Sequence, residues 1–73
     1  MKLYRILKLP TVMAATGKSR SEIYEDMSLG LFPRQVPTSE GESGRGVGWL
    51  ESEIAEWQAQ RIAERDRRDG GDA

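Results

Sequence analysis

The 73-residue sequence has no cysteine and no histidine. Their absence excludes disulfides, thiolate nucleophiles, imidazole bases and nearly every zinc site, so we expect neither a metal nor a cofactor. The sequence also has no long hydrophobic run, which excludes a membrane-spanning helix, and its start at Lys2 and Leu3 lacks the apolar stretch of a signal peptide. These absences predict a cytoplasmic protein that is not an enzyme.

Apolar residues are few, at 37% against 32% charged residues. A chain of this size and composition predicts one small domain with a thin core. The net charge of −1 argues at first against a nucleic-acid partner. However, residues 1–20 carry five cationic side chains and no acidic one, whereas the rest of the chain is net acidic. Since the local field decides whether a phosphate backbone is attracted, this basic end keeps nucleic acid as a candidate partner.

Two short helices are predicted in the first half of the chain. Pro10 suits the first turn of a helix, and Gly17 supplies the left-handed stop that ends it after about two turns. The segment 19–22, Ser-Arg-Ser-Glu, is a capping box and predicts that a second helix starts there. Gly30 and Pro33 end that helix.

The second half predicts a hairpin and a long helix. Residues 34–37 and 46–50 are predicted as two short strands around a polar tip at residues 38–45, and the proline confines the first strand to a sheet edge. A last helix is predicted over residues 51–67, because its early carboxylates and late arginines complement the helix dipole. We expect residues 1–67 to form the domain and residues 68–73 a frayed tail.

Large apolar side chains of these elements are predicted to form the core: Val12, Ile23, Met27, Trp49, Ile54 and Trp57. Leu50 and Ile62 extend the predicted apolar stripe of the last helix. Both tryptophans are assigned to this core rather than to stacking on single-stranded nucleic acid.

Two helices joined by a tight glycine-containing turn are typical of a helix-turn-helix, whose second helix enters the DNA major groove. The turn and the exposed side of the second helix offer cationic, hydroxyl and carboxylate groups to phosphates and base edges. Arginines also flank the hairpin tip, within reach of a minor groove. The predicted DNA-binding residues are Lys18, Ser19, Arg20, Ser21, Tyr24, Glu25, Ser28, Arg34 and Arg45. A solvated capping turn, helix surface or loop is the alternative for each.

Several motifs occur together in order: Leu9-Pro10-Thr11-Val12, Thr16-Gly17-Lys18-Ser19-Arg20-Ser21-Glu22-Ile23-Tyr24, Gly30-Leu31-Phe32-Pro33 and Val47-Gly48-Trp49. Over about residues 3–62 the chain resembles the AlpA family of small prophage-type regulators, and it is similar to the wider group of excisionases and MerR-type winged-helix domains. The resemblance implies an α+β winged helix-turn-helix in the order helix, helix, β-hairpin, helix, with residues 34–45 as the wing. The chain departs from the family by carrying Glu25, Asp26, Ser28 and Leu31 where basic residues are common.

The function predicted from these patterns is sequence-specific binding of double-stranded DNA by a transcriptional regulator of a prophage or other mobile element. Two alternatives stay open: an excisionase-like architectural factor for recombination, and a protein-interaction adaptor that has lost DNA binding, which the acidic residues of the second helix motivate. The expected partner is double-stranded DNA, on which the chain is a candidate to form a homodimer or cooperative array. An integrase or other phage protein is a further candidate partner, no membrane is expected, and the expected location is the nucleoid in the cytoplasm.

Overall fold

The computed structural model describes residues 2–38 and 46–71. Its elements are β1 (Ile6–Leu7), α1 (Leu9–Thr16), α2 (Arg20–Ser28), β2 (Val36–Pro37), β3 (Val47–Leu50) and α3 (Glu51–Gly71). Three helices and a three-stranded antiparallel sheet confirm the predicted α+β winged helix-turn-helix. The predicted order omitted β1, because a two-residue strand shows no periodicity and pairs with a strand some forty residues further along the chain.

The sheet has the order β1-β3-β2, so the proline of β2 lies on an edge strand, as predicted. Ile6 pairs with Leu50 on one side of β3, and Val36 pairs with Gly48 on the other. Gly48 is buried, and a Cβ there would lie 2.5 Å from Cγ2 of Ile6 and 2.7 Å from the carbonyl oxygen of Leu7. The missing side chain therefore allows β1 to pack closely on β3.

The core lies between the sheet and the three helices. Its buried side chains are Leu7, Val12, Ile23, Phe32, Trp49 and Ile54. Of the predicted core residues, Met27 and Trp57 are only partly buried and pack against this cluster from its edge. Trp49 is fully buried, and its indole Nε1 donates to the carbonyl of Pro33 at 3.0 Å, which joins β3 to the segment after α2.

α3 is longer than predicted and continues to Gly71, past the expected end at residue 67 and through a glycine that was expected to fray. Ile62 was predicted to face the core, but it is 51% exposed. The last hydrogen bond of α3 to another described element is from Nε2 of Gln58 to the carbonyl of Ala15. A helix of 21 residues is about 32 Å long, so its second half extends past the body, and Ile62 is only half covered, beside Thr16 and Trp57. None of the helices in the described ranges is long and apolar enough to cross a bilayer.

Candidate nucleic-acid interface

The turn between α1 and α2 is fixed by local hydrogen bonds. Gly17 adopts a left-handed conformation with φ of 72°, and its amide donates to the carbonyl of Met13 at 2.9 Å. Ser19 caps α2: its hydroxyl accepts from the amide of Glu22 at 3.2 Å, and its own amide donates to the Glu22 carboxylate at 3.1 Å. The predicted capping box is therefore present, and it sets the direction in which α2 leaves the turn.

The capping box also shifts the pKa of one carboxyl group. The pKa of the Glu22 carboxyl is lowered, mainly by the hydrogen bond from the Ser19 backbone amide and to a smaller extent by the Ser19 side chain. A carboxylate that accepts such bonds is stabilised in its charged form. At neutral pH the Glu22 carboxylate therefore carries a negative charge and is hydrogen-bonded to the residue that caps α2.

One side of α2 packs on the core through Ile23, which is fully buried. The other side is exposed and carries five of the predicted DNA-binding residues: Arg20, Ser21, Tyr24, Glu25 and Ser28. At about 100° per residue these five side chains span an arc of about 140°. The structure thus brings them together on one continuous helix face, which we call the α2 face.

Two contacts order side chains on the α2 face. The guanidinium of Arg20 lies over the ring of Tyr24, 5.8 Å from its centroid, a cation–π arrangement between neighbouring turns. The hydroxyl of Ser28 donates to the carbonyl of Glu25 at 2.6 Å. Because its proton is used there, the exposed Ser28 oxygen can act toward a ligand only as a hydrogen-bond acceptor.

The α2 face continues into a groove of about 580 Å³ between α2 and the segment before β2. Tyr24, Met27 and Ser28 line one side, and Arg34 and Gln35 line the other. Arg34 is exposed and so places a cation beside the groove, next to the base of the predicted wing. Arg45, the other arginine assigned to the wing, lies outside the described residues.

Lys18, also predicted as a DNA contact, has a partner within the protein. Its ammonium lies 2.6 Å from a carboxylate oxygen of Asp26 and 5.6 Å from the centroid of the Trp57 ring. Both members of the ion pair are mostly buried, with side chains 22% and 21% exposed. Lys18 therefore joins the turn to the second turn of α2 and to α3. It also neutralises Asp26, which lies outside the arc of the α2 face.

Sequence reasoning missed one long-range contact of a cation. Lys8, the residue before α1, donates from Nζ to the hydroxyl of Thr38 at 3.3 Å, which brings the start of α1 next to the end of β2. The two residues are thirty positions apart, so no local pattern could have connected them. Within the described residues, no group of three or more acidic side chains is placed to hold a metal ion.

Comparisons with known proteins place this arrangement in a family. The profile of the family described as prophage CP4-57 regulatory protein (AlpA) matches residues 5–62. The chain is 48% identical over 63 residues to a protein of Enterobacteria phage P4 described as uncharacterized protein ORF88, covering 86% of this chain and 67% of that one. It is 37% identical over 59 residues to the DNA-binding transcriptional activator AlpA of Escherichia coli (strain K12), covering 78% of this chain and 84% of that one. No solved structure matches.

Proposed function

The chain belongs to the AlpA family of prophage regulatory proteins, and from that premise we propose that it binds double-stranded DNA sequence-specifically and regulates transcription in a prophage or other mobile element. In this proposal α2 is the recognition helix, and the wing is the predicted segment 34–45, of which the structure describes residues 34–38. The relative in Escherichia coli is described as a DNA-binding transcriptional activator, which supports the same class of function here. The proposal involves no catalysis.

The observation that carries the proposal is the α2 face. An α-helix with its side chains is about 10–12 Å wide and fits the major groove, which is about 12 Å wide. The α2 face can enter the groove because its polar side chains lie together along one exposed side of a helix that is held in the core by Ile23 on another side. A helix-turn-helix presents the N-terminal part of its second helix to base edges in the same way.

Four of the five side chains of the α2 face have a stated chemical role in the proposal. The cation–π contact with Tyr24 restricts Arg20 before its guanidinium meets a guanine edge or a phosphate. Glu25 accepts from the exocyclic amino group of cytosine, and the Ser28 oxygen accepts from a base or a water. Arg34, across the groove from α2, contacts the phosphate backbone beside the site.

The position of Asp26 favours DNA binding over the adaptor alternative. A free carboxylate on the recognition helix would repel phosphate, and the acidic residues of α2 were the reason to consider an adaptor. Asp26 is paired with Lys18 at 2.6 Å and lies outside the α2 face. Of Glu25 and Asp26, only Glu25 lies on the α2 face, where its carboxylate can accept a hydrogen bond from a base.

The test is the substitution Arg20→Ala. Arg65→Ala is the matched control, since Arg65 is exposed on the far part of α3 and pairs only with the adjacent Asp66 among described residues. A binding site is first selected from random duplex DNA, and dissociation constants are then measured by fluorescence anisotropy at several salt concentrations. We expect Arg20→Ala to weaken binding to the selected site by about 1–3 kcal/mol, or roughly fivefold to 150-fold, and Arg65→Ala to leave it unchanged.

Two results would contradict the proposal. One is a folded Arg20→Ala protein that binds the selected site as tightly as the wild type, which would remove α2 as the recognition element. The other is a wild-type protein whose selection yields no preferred sequence and whose binding does not weaken steeply with added salt, since phosphate contacts impose that dependence. The second result would favour the adaptor.

A further inference from the structure

A second groove lies away from the α2 face, between α3 and the segment that follows α2. Its volume is about 270 Å³. Its apolar lining comes from Leu31, Phe32, Pro33 and Trp57, and its charged lining from Glu53 and Glu56. Leu31 is 63% exposed, so the apolar surface continues onto the outside of the molecule. We call this feature the acidic groove.

Cationic and exposed apolar side chains are interspersed near the start of the chain, in residues 2–6, which we call the N-terminal segment. Leu3 is 89% exposed and Tyr4 57% exposed, and Ile6 lies on the edge strand β1 with 41% exposure. Lys2 places its ammonium 5.5 Å from the ring centroid of Tyr4. Arg5 is 3.5 Å from Glu51, but its side chain is 75% exposed. Such an exposed pair is weak, and it leaves Arg5 available to another carboxylate.

We propose that the N-terminal segment of one molecule binds the acidic groove of a second copy of this chain. The large apolar side chains of the segment enter the apolar part of the groove, and its two cations, Lys2 and Arg5, meet the carboxylates of Glu53 and Glu56. The segment of the same molecule does not fill this role, because none of residues 2–6 lines the groove.

The composition of the N-terminal segment favours a protein surface over DNA as its partner. Cations alone would suit a phosphate backbone, but exposed Leu3 and Ile6 gain nothing from phosphate and are stabilised by removal from water, as is the ring of Tyr4. Exposed apolar residues rimmed by charge commonly mark a protein-protein contact. The acidic groove offers the complementary charge, and complementary potentials determine which partners associate.

This inference goes beyond the proposed function and does not depend on it, because self-association is measured without DNA. The contact is small and is therefore weak in free solution. On DNA, two molecules at neighbouring sites would have a high effective concentration for each other, so the same contact would produce cooperative binding.

Two charge-reversed proteins test the proposal by sedimentation velocity at low salt and concentrations up to about 1 mM, the range for weak contacts of this size. The groove variant is Glu53→Lys/Glu56→Lys, and the segment variant is Lys2→Glu/Arg5→Glu. We expect the wild type to associate as concentration rises and each variant alone to associate at least about tenfold more weakly, because like charges then face each other. An equimolar mixture should regain association, since both contacts are again between opposite charges.

The control is Asp66→Lys/Asp69→Lys, which changes the net charge by the same amount as the groove variant but acts on exposed residues near the end of α3. It should associate like the wild type, and thermal melting should show that every variant is folded. A wild type that stays monomeric throughout this range would overturn the proposal. So would a mixture that stays monomeric, or a segment variant that loses only DNA affinity and still associates, which would make the segment a DNA contact.

Discussion

Replacing Lys18 by methionine tests whether this residue holds α2 in place or contacts DNA. The substitution keeps an unbranched side chain and removes the charge. It deletes the 2.6 Å ion pair with Asp26 and the cation–π contact with Trp57. A mostly buried carboxylate is then left without its cation.

The burial of the pair sets the expected loss in the free energy of unfolding. Exposed ion pairs contribute about 0–1 kcal/mol, whereas removal of one partner from a fully buried pair costs about 3–5 kcal/mol. Side chains that are 22% and 21% exposed lie between these limits, and we expect a loss of about 2 kcal/mol. For a domain of this size that loss lowers the melting temperature by about 8–16 °C.

The assay is thermal unfolding followed by circular dichroism, with Lys8→Met as the matched control. Among the described residues, the Lys8 side chain makes only an exposed hydrogen bond to Thr38, so its loss should change stability by less than about 0.5 kcal/mol. The double variant Lys18→Met/Asp26→Leu should regain part of the loss, because no unpaired charge remains. A Lys18→Met protein that melts like the wild type would refute the reasoning. So would a double variant whose loss equals the sum of its two single variants.

Binding to DNA separates the two roles of Lys18. A phosphate contact contributes about 0.9 to the slope of log affinity against log salt. We expect Lys18→Met to weaken binding and leave that slope unchanged, because its ammonium faces Asp26. A slope smaller by about 0.9, the value for one phosphate contact, would show that Lys18 contacts DNA.

Three further predictions concern stability. Trp49→Ala should cost about 3–5 kcal/mol, comparable to the whole stability of a small domain, and leave the chain largely unfolded in urea titrations; a cooperative wild-type transition would disprove its central place in the core. Gly48→Ala should cost about 1–3 kcal/mol in the same assay, because its Cβ would meet the Leu7 carbonyl oxygen at 2.7 Å; an unchanged midpoint would show that β1 shifts freely. The capping box should lose stability as the pH falls below the ordinary carboxyl pKa of 4.5 and through the lowered pKa of Glu22 in the folded chain. Between pH 7 and pH 3 the melting temperature should therefore fall less in Glu22→Gln than in the wild type. Equal falls would contradict the contribution of the capping box to this pH dependence.

Local signals accounted for most of the fold. The glycine stop, the capping box and the proline on an edge strand each depend on residues a few positions apart, and each appears in the structure where the sequence placed it. The α2 face also follows from helical spacing once the buried position of Ile23 is known. Errors occurred where distant partners decide the outcome. β1 exists only because β3 pairs with it, and Ile62 stays half exposed because it lies at the edge of the body, beside Thr16 and Trp57, rather than in the core.

The sequence by itself determined the helix starts, the glycine stop of α1, the class of fold and the family, because capping, turn chemistry and periodicity act over a few residues. Only the tertiary structure decided which charges face solvent and which face each other. Lys18 and Asp26 are eight positions apart, with nothing in the local pattern to pair them, and the packing of α3 against the turn adds the ring of Trp57 to that pair. The fold thereby pairs Lys18, a predicted DNA contact, with a carboxylate of the protein itself, and it leaves Arg20, beside the ring of Tyr24, as the cation at the start of the α2 face.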